Sequence, residues 1–163
     1  MPVTIRTLKK RKQEGAKFSV LTAYDATFSR LISEAGVEAM LIGDSLGNVI
    51  QGQPSTVPVT LAQMVYHTEC VARGNQGSLV IADVPFMGAA TLERILEAAT
   101  ALMQAGANVI KLEGGAWLCE AVTVLARNGI PVCVHMGLTP QSVNAFGGYL
   151  VQGKDDTSAK ALL

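Results

Sequence analysis

Apolar runs and amphipathic segments alternate along the chain. FSVLTAYD (Phe18–Asp25) is short, apolar and rich in β-formers, which predicts a strand. ATFSRLISEAG (Ala26–Gly36) puts Phe28, Leu31 and Ile32 at helical spacing and closes on a glycine, which predicts a helix. VEAMLIGD (Val37–Asp44) reads as a second, buried strand, followed by a Gly/Pro-rich loop to about Val59. Thr60 then caps a helix over LAQMVYHTECVARG, and SLVIADVPF (Ser78–Phe86) is the third strand. TLERILEAATALMQAG (Thr91–Gly106) carries Thr91 as a cap, Glu93 in the first turn, and an apolar face of Leu92, Ile95, Leu96 and Ala99, the pattern of a helix on a core. NVIKLEGG (Asn108–Gly115), WLCEAVTVLARNG and IPVCVHMG (Ile130–Gly137) complete the series as strand, helix and strand.

Strands apolar on both faces, alternating with helices, belong to a parallel sheet covered by helices. An open doubly wound sheet and a TIM (β/α)₈ barrel both satisfy that pattern. No G-x-G-x-x-G follows the first strand, which weakens a dinucleotide-binding sheet. Asp25, Asp44, Asp83, Glu113 and His135 each fall at or near the end of an apolar run. In a barrel these ends converge on one catalytic face. The predicted fold is therefore α/β, a single TIM-barrel domain over residues 1–163. It is incomplete, because about 250 residues are typical of the barrel and the chain supplies only about the first five β/α units.

Composition changes this picture little. Of 163 residues, 49% are hydrophobic and 16% charged, and thirteen basic side chains balance thirteen acidic ones. That excludes a disordered tail and gives no overall field to attract nucleic acid or a membrane surface. Arg6, Lys9, Lys10, Arg11, Lys12 and Lys17 cluster near the N-terminus. No aromatic residues interleave with them for stacking, so they read as the solvated face of a short helix whose apolar side is Ile5 and Leu8. Cys70, Cys119 and Cys133 lie in apolar stretches without C-x-x-C spacing, the usage of a reduced protein. With no signal-peptide pattern and no apolar run near the roughly 18–20 residues of a membrane span, a cytoplasmic location is expected.

The strand-end acids suggest the chemistry. Asp44, Asp83 and Glu113 are hard oxygen ligands on three successive strands, and convergent carboxylates repel unless a cation sits among them; Mg²⁺ suits such a set. Lys111 lies two residues before Glu113 and so points to the same side of its strand. It can bind the carboxylate of an anionic substrate, or form a structural ion pair with Glu113. Ser45 and neighbouring amides can donate to the same ligand. A divalent ion beside a lysine suits a 2-oxo acid and stabilises its enolate, so the predicted class is enolate chemistry that makes or breaks a C–C bond. Asp25 reads as a helix cap, His135 taken alone as a hydrogen-bonded structural residue, His67 as ordinary, and Tyr66 and Trp117 as helix packing.

Several stretches resemble one family closely. LTAYDATFSRL, MLIGDSLGNVIQG, STVPVTLAQMVYHT, ADVPFM, AGANVIKLEGG and PVCVHMGLTPQSVNAFGGYLVQG are similar, in order and spacing, to the ketopantoate hydroxymethyltransferases. The resemblance implies a (β/α)₈ barrel in a homo-oligomer, commonly a decamer, of cytoplasmic enzymes of pantothenate and coenzyme A biosynthesis. It implies one-carbon transfer from 5,10-methylenetetrahydrofolate to 3-methyl-2-oxobutanoate, giving 2-dehydropantoate. It puts Asp44, Asp83 and Glu113 at the Mg²⁺ positions, Asp44, Ser45, Asp83 and Lys111 at the oxo-acid contacts, and His135 on the pocket lining. The family's general base is a glutamate on the next strand, beyond Leu163, so this segment alone is expected to have little or no transferase activity. Two alternatives are a Mg²⁺-dependent carbon–carbon lyase of the isocitrate lyase or phosphoenolpyruvate mutase type, and an inactive binding or assembly fragment. The lyases' K-[KR]-C-G-H motif is absent from the sequence.

Overall fold

The computed structural model describes residues 2–162. Helix α1 (Ile5–Gln13) opens the chain. Then come β1 (Val20–Thr22), α2 (Ala26–Glu34), β2 (Ala39–Ile42), the single-turn α3 (Leu46–Val49) and α4 (Leu61–Gly74). The alternation continues through β3 (Leu79–Asp83), α5 (Leu92–Gln104), β4 (Val109–Glu113), α6 (Cys119–Arg127) and β5 (Val132–His135). Turns of 3₁₀ helix at Ala116–Leu118 and Pro140–Ser142 lead into α6 and α7 (Val143–Phe146), and α8 spans Asp156–Leu162. No helix among the described residues is long and apolar enough to cross a membrane.

The expected caps form. Asp25 accepts from Phe28 N at 2.8 Å to start α2, and Thr91 accepts from Arg94 N to start α5. Thr60 exchanges hydrogen bonds with Gln63 in a capping box on α4. Each cap satisfies amides that a helix N-terminus leaves without partners.

The sheet decides between the two candidate architectures. Its order is β1-β2-β3-β4-β5 and every neighbouring pair is parallel. A doubly wound sheet reverses strand order at a switch point; this one never does. Helices α2, α4, α5 and α6 pack against one another in chain order, forming one layer. Sequential parallel strands inside a single helix layer are the wall of a (β/α)₈ barrel.

Alternation along the strands divides the core in two. Met40, Ile42, Val80, Ala82, Ile110 and Leu112 face the helix layer and pack with Met64, Val71, Ile95, Leu102 and Leu125. On the opposite face, Ala39, Leu79 and Val109 form a floor covered by Val3, Ile5 and Leu8. Helix α1 therefore closes the bottom of the inner face, and its basic side chains are largely exposed. Arg11 pairs with Glu38 at 2.8 Å.

Three expectations need correction. Not every strand is buried on both faces: all of β1 is exposed, as are Cys133 and Val134 of β5. These are the outer strands of the sheet, with a neighbour on one side only. The cysteines are not all in apolar surroundings, since Cys119 and Cys133 are exposed. Tyr66 and Trp117 are not packed inside: they are 61% and 62% exposed. Tyr66 follows the buried Met64 by two residues, about 200° around the helix, so it faces away from the sheet.

Candidate active site

The residues expected to carry chemistry come together. Asp83 and Glu113 end β3 and β4, and the register pairs Asp83 with Lys111 and Glu113 with His135. All four side chains share the inner face, above the floor that α1 closes. Lys111 Nζ donates to Asp83 Oδ1 at 2.6 Å and to Glu113 Oε1 at 3.5 Å. His135 Nδ1 lies 3.1 Å from the same Glu113 oxygen. Asp44 and Ser45 sit on the turn after β2, where Asp44 N donates to Asp83 Oδ2 at 3.2 Å. The Asp44 carboxylate accepts from Gln141 Nε2 at 2.8 Å, across 97 positions of sequence. A turn-forming aspartate bonds its own local backbone; the carboxylate of this one is instead held from across the inner face. Asp25 serves its helix and stays out of the cluster.

A family model described as ketopantoate hydroxymethyltransferase matches residues 2–163. The chain belongs to the ketopantoate hydroxymethyltransferase family. It is 80% identical over 163 residues to the 3-methyl-2-oxobutanoate hydroxymethyltransferase of Alcanivorax borkumensis, covering 100% of this chain and 62% of that relative. The chain thus spans about three fifths of the curated relatives it matches. Two solved structures share its fold at low identity. A phosphonopyruvate hydrolase in complex with oxalate and Mg++ gives a TM-score of 0.65 at 14% identity, over 88% of this chain and 54% of that one. A 2,3-dimethylmalate lyase of the PEP mutase/isocitrate lyase superfamily gives 0.62 at 19% identity, over 83% and 53%.

In this family member the site is short of positive charge. Asp44, Asp83 and Glu113 are 2%, 3% and 8% exposed, and Lys111 is the one lysine among them. Burial, reinforced by the charge of Asp83, pushes Asp44 up to about 7. Burial also raises Asp83, against the pull of Lys111. Burial alone would lower Lys111, but Asp83 and the other two acids outweigh it and hold the ammonium charged. The donor set fits a hard divalent cation: all oxygen, buried, and too negative as it stands. Asp44 and Asp83 are the adjacent pair. Glu113 is turned to Lys111, His135 and Gln141 N, and among the described residues no three acidic, histidine or cysteine side chains are gathered closely enough to cage an ion unaided.

Two contributors were missed by sequence reasoning. Gln141 donates from Nε2 to both Asp44 Oδ2 and Val84 O, and its backbone N–H reaches Glu113 Oε2 at 3.2 Å. It lies in a turn with no periodicity to aim it, and only the fold brings it to Asp44. Tyr24 bonds Ser45 Oγ through its hydroxyl at 2.9 Å. Its place at the end of the first apolar run was a usable signal, since that is how the acids were found. Gly43 leaves room beside them, because a Cβ there would stand 2.7 Å from Ser45 Oγ and turn that hydroxyl aside.

Proposed function

We propose that this chain carries the oxo-acid and metal half of a hydroxymethyltransferase site. The reaction is transfer of a one-carbon unit from 5,10-methylenetetrahydrofolate to 3-methyl-2-oxobutanoate. C3 of the oxo acid loses a proton, a C–C bond forms between C3 and the methylene carbon, water supplies the hydroxyl, and tetrahydrofolate leaves with 2-dehydropantoate as product. The observation that carries the reading is the buried group of three carboxylates and one lysine at adjacent parallel strand ends, in a member of this family.

Asp44 and Asp83 would hold a divalent ion such as Mg²⁺, with Glu113 completing the set. The ion supplies charge stabilisation at the keto oxygen as C3 is deprotonated. Lys111 pairs with the substrate carboxylate, a point charge on a partly buried stem. Ser45, oriented by Tyr24, donates to the same substrate, and His135 lines the pocket beside Glu113. Removal of the C3 proton is assigned to none of these side chains. The family resemblance assigns it to a glutamate on a following strand, and the proposal is that this segment alone has little or no transferase activity. Assembly as a homo-oligomer belongs to the same reading. The lyase alternative has fold similarity alone in its favour, at 14–20% identity, against 80% for the transferase relative.

Calorimetric titration of 3-methyl-2-oxobutanoate in the presence of Mg²⁺ tests the proposal. Asp83→Asn and Lys111→Met should each weaken binding at least tenfold. Wild-type affinity in both variants overturns the assignment, and near-normal turnover by the 163-residue chain overturns the external base.

A further inference from the structure

His67 lies outside the acid cluster, yet a chain of contacts joins it to Ser45. It sits on α4 three residues after Met64 and four before Val71, both buried, so helical spacing turns it to the same side as that buried face. Its Nδ1 meets the backbone carbonyl of Tyr24 at 2.7 Å, across 43 positions of sequence. A carbonyl only accepts, so the proton of this bond belongs to Nδ1. The same tyrosine makes the 2.9 Å hydroxyl contact with Ser45 Oγ.

The imidazole is also gripped by its neighbours. Tyr24 stands edge-on to it, with centroids 6.4 Å apart and an interplanar angle of 85°. Tyr66 does the same at 5.3 Å and 81°. Both fall within the range of favourable T-shaped contacts. Tyr24 lies between the end of β1 and Asp25, the cap of α2, and belongs to neither element. His67, Tyr24 and Ser45 are each half-buried, so core packing alone does not set their geometry and the hydrogen bonds matter more. With Tyr24 donating to Ser45 Oγ, the proton of Ser45 stays available for a ligand.

We infer that His67 is a positioning residue of the oxo-acid site. As an Nδ1–H donor it fixes the Tyr24 peptide, which aims the Tyr24 hydroxyl at Ser45 Oγ and leaves the Ser45 proton for the bound oxo acid. The inference rests on the proposed function and deepens it, extending the Ser45 contact back to α4 in the helix layer.

Two measurements on the 163-residue chain test it. The first is ring-nitrogen NMR of His67, one of two histidines, assigned by its loss in His67→Asn. A proton on Nδ1 is expected. The second is calorimetric titration of 3-methyl-2-oxobutanoate with Mg²⁺ present. His67→Leu removes the donor, and His67→Gln moves it out toward the Nε2 position. Each should raise the Kd about three- to tenfold, the scale of one hydrogen bond. His67→Asn keeps a donor near Nδ1 and should stay within twofold of the wild type, a rescue that loss of ring packing alone would not give. In a Tyr24→Phe background, His67→Leu should add no further loss, since both act through one hydroxyl. An unprotonated Nδ1, an unchanged Kd in both His67→Leu and His67→Gln, or an equal loss in His67→Asn and His67→Leu overturns the inference. Failure of the underlying transferase reading has a different signature: the wild type does not bind the oxo acid, or binds it regardless of Asp83→Asn.

Discussion

Lys111→Met isolates the charge balance of the site. Lys111 and Asp83 side chains are 14% and 4% exposed and 2.6 Å apart. Breaking a buried pair by deleting one partner costs about 3–5 kcal/mol, because the other charge is stranded. The stranded carboxylate has an escape, since it can take up a proton. At pH 7, protonating a carboxylate of ordinary pKa ~3.9 costs about 3 units at ~1.36 kcal/mol each, a ceiling near 4 kcal/mol. At pH 5 the same ceiling falls to about 1.5 kcal/mol. The sign follows from proton uptake. In the variant the folded state binds the proton more tightly than the unfolded state, so stability rises as pH falls and is lost as pH rises. Urea unfolding in EDTA should therefore give a loss near 3–4 kcal/mol at pH 7 and less than half of that at pH 5. Asp83→Asn combined with Lys111→Met should recover most of the stability, because the stranded charge is gone. A loss below about 1 kcal/mol at pH 7, or an equal loss at both pH values, refutes the reasoning that Lys111 compensates a buried carboxylate.

Other parts of the molecule give independent checks. Mg²⁺ at ten times its Kd should raise unfolding free energy by about 1.4 kcal/mol, and Asp44→Asn should abolish that gain in thermal melts. Glu38 accepts from Ser19 N and Oγ and faces Arg11, and these hold its carboxyl down to about 2, from 4.5. Its contribution is present above pH 4.5 and lost as pH falls toward 2, so Glu38→Gln should melt with a flatter acid limb than the wild type. Gly74 ends α4 where a Cβ would run into the backbone carbonyl of Ala26. Gly74→Ala should cost about 1–3 kcal/mol by overpacking the α2–α4 contact, measured by urea unfolding, although alanine is the better helix former.

The wall of the barrel was legible because each element carries its own signal. Period-3.6 faces, Thr and Asp caps and doubly apolar strands require no knowledge of neighbours, and Asp25, Thr60 and Thr91 cap as their positions dictate. The acid cluster was legible at one remove. Once parallel strands were inferred, the ends at Asp44, Asp83 and Glu113 had to share a face. Relations set by tertiary contact were not legible. Gln141 meets Asp44 only through the fold. Trp117 lies with its indole against a glycine three residues upstream and is mostly exposed, whereas an aromatic in a helical pattern reads as core. The exposed β1 and the half-covered β5 lie at the rims of the sheet, which no local pattern distinguishes from its middle.

Gly43 ties the turn chemistry of the β2 loop to the site, and a substitution there separates stability from function. An added Cβ would sit 2.7 Å from Ser45 Oγ but 3.5 Å from Asp83 Oδ2. The close contact is the end of a rotatable side chain, so Gly43→Ala should fold, with Ser45 turning away. That rotation breaks the 2.9 Å bond to Tyr24 and removes the hydroxyl from its donating position. One lost hydrogen bond to a charged ligand is worth about 1.5–3 kcal/mol. Oxo-acid binding should therefore weaken by roughly ten- to a hundredfold, with stability changed by less than about 1 kcal/mol. Ser45→Ala should reproduce the loss. The double variant should bind no more weakly than either single one, since both remove the same hydroxyl. Additive losses would show that Gly43 acts on the site by another route, such as a shift of Asp83. In that case the glycine serves the acid pair and not Ser45.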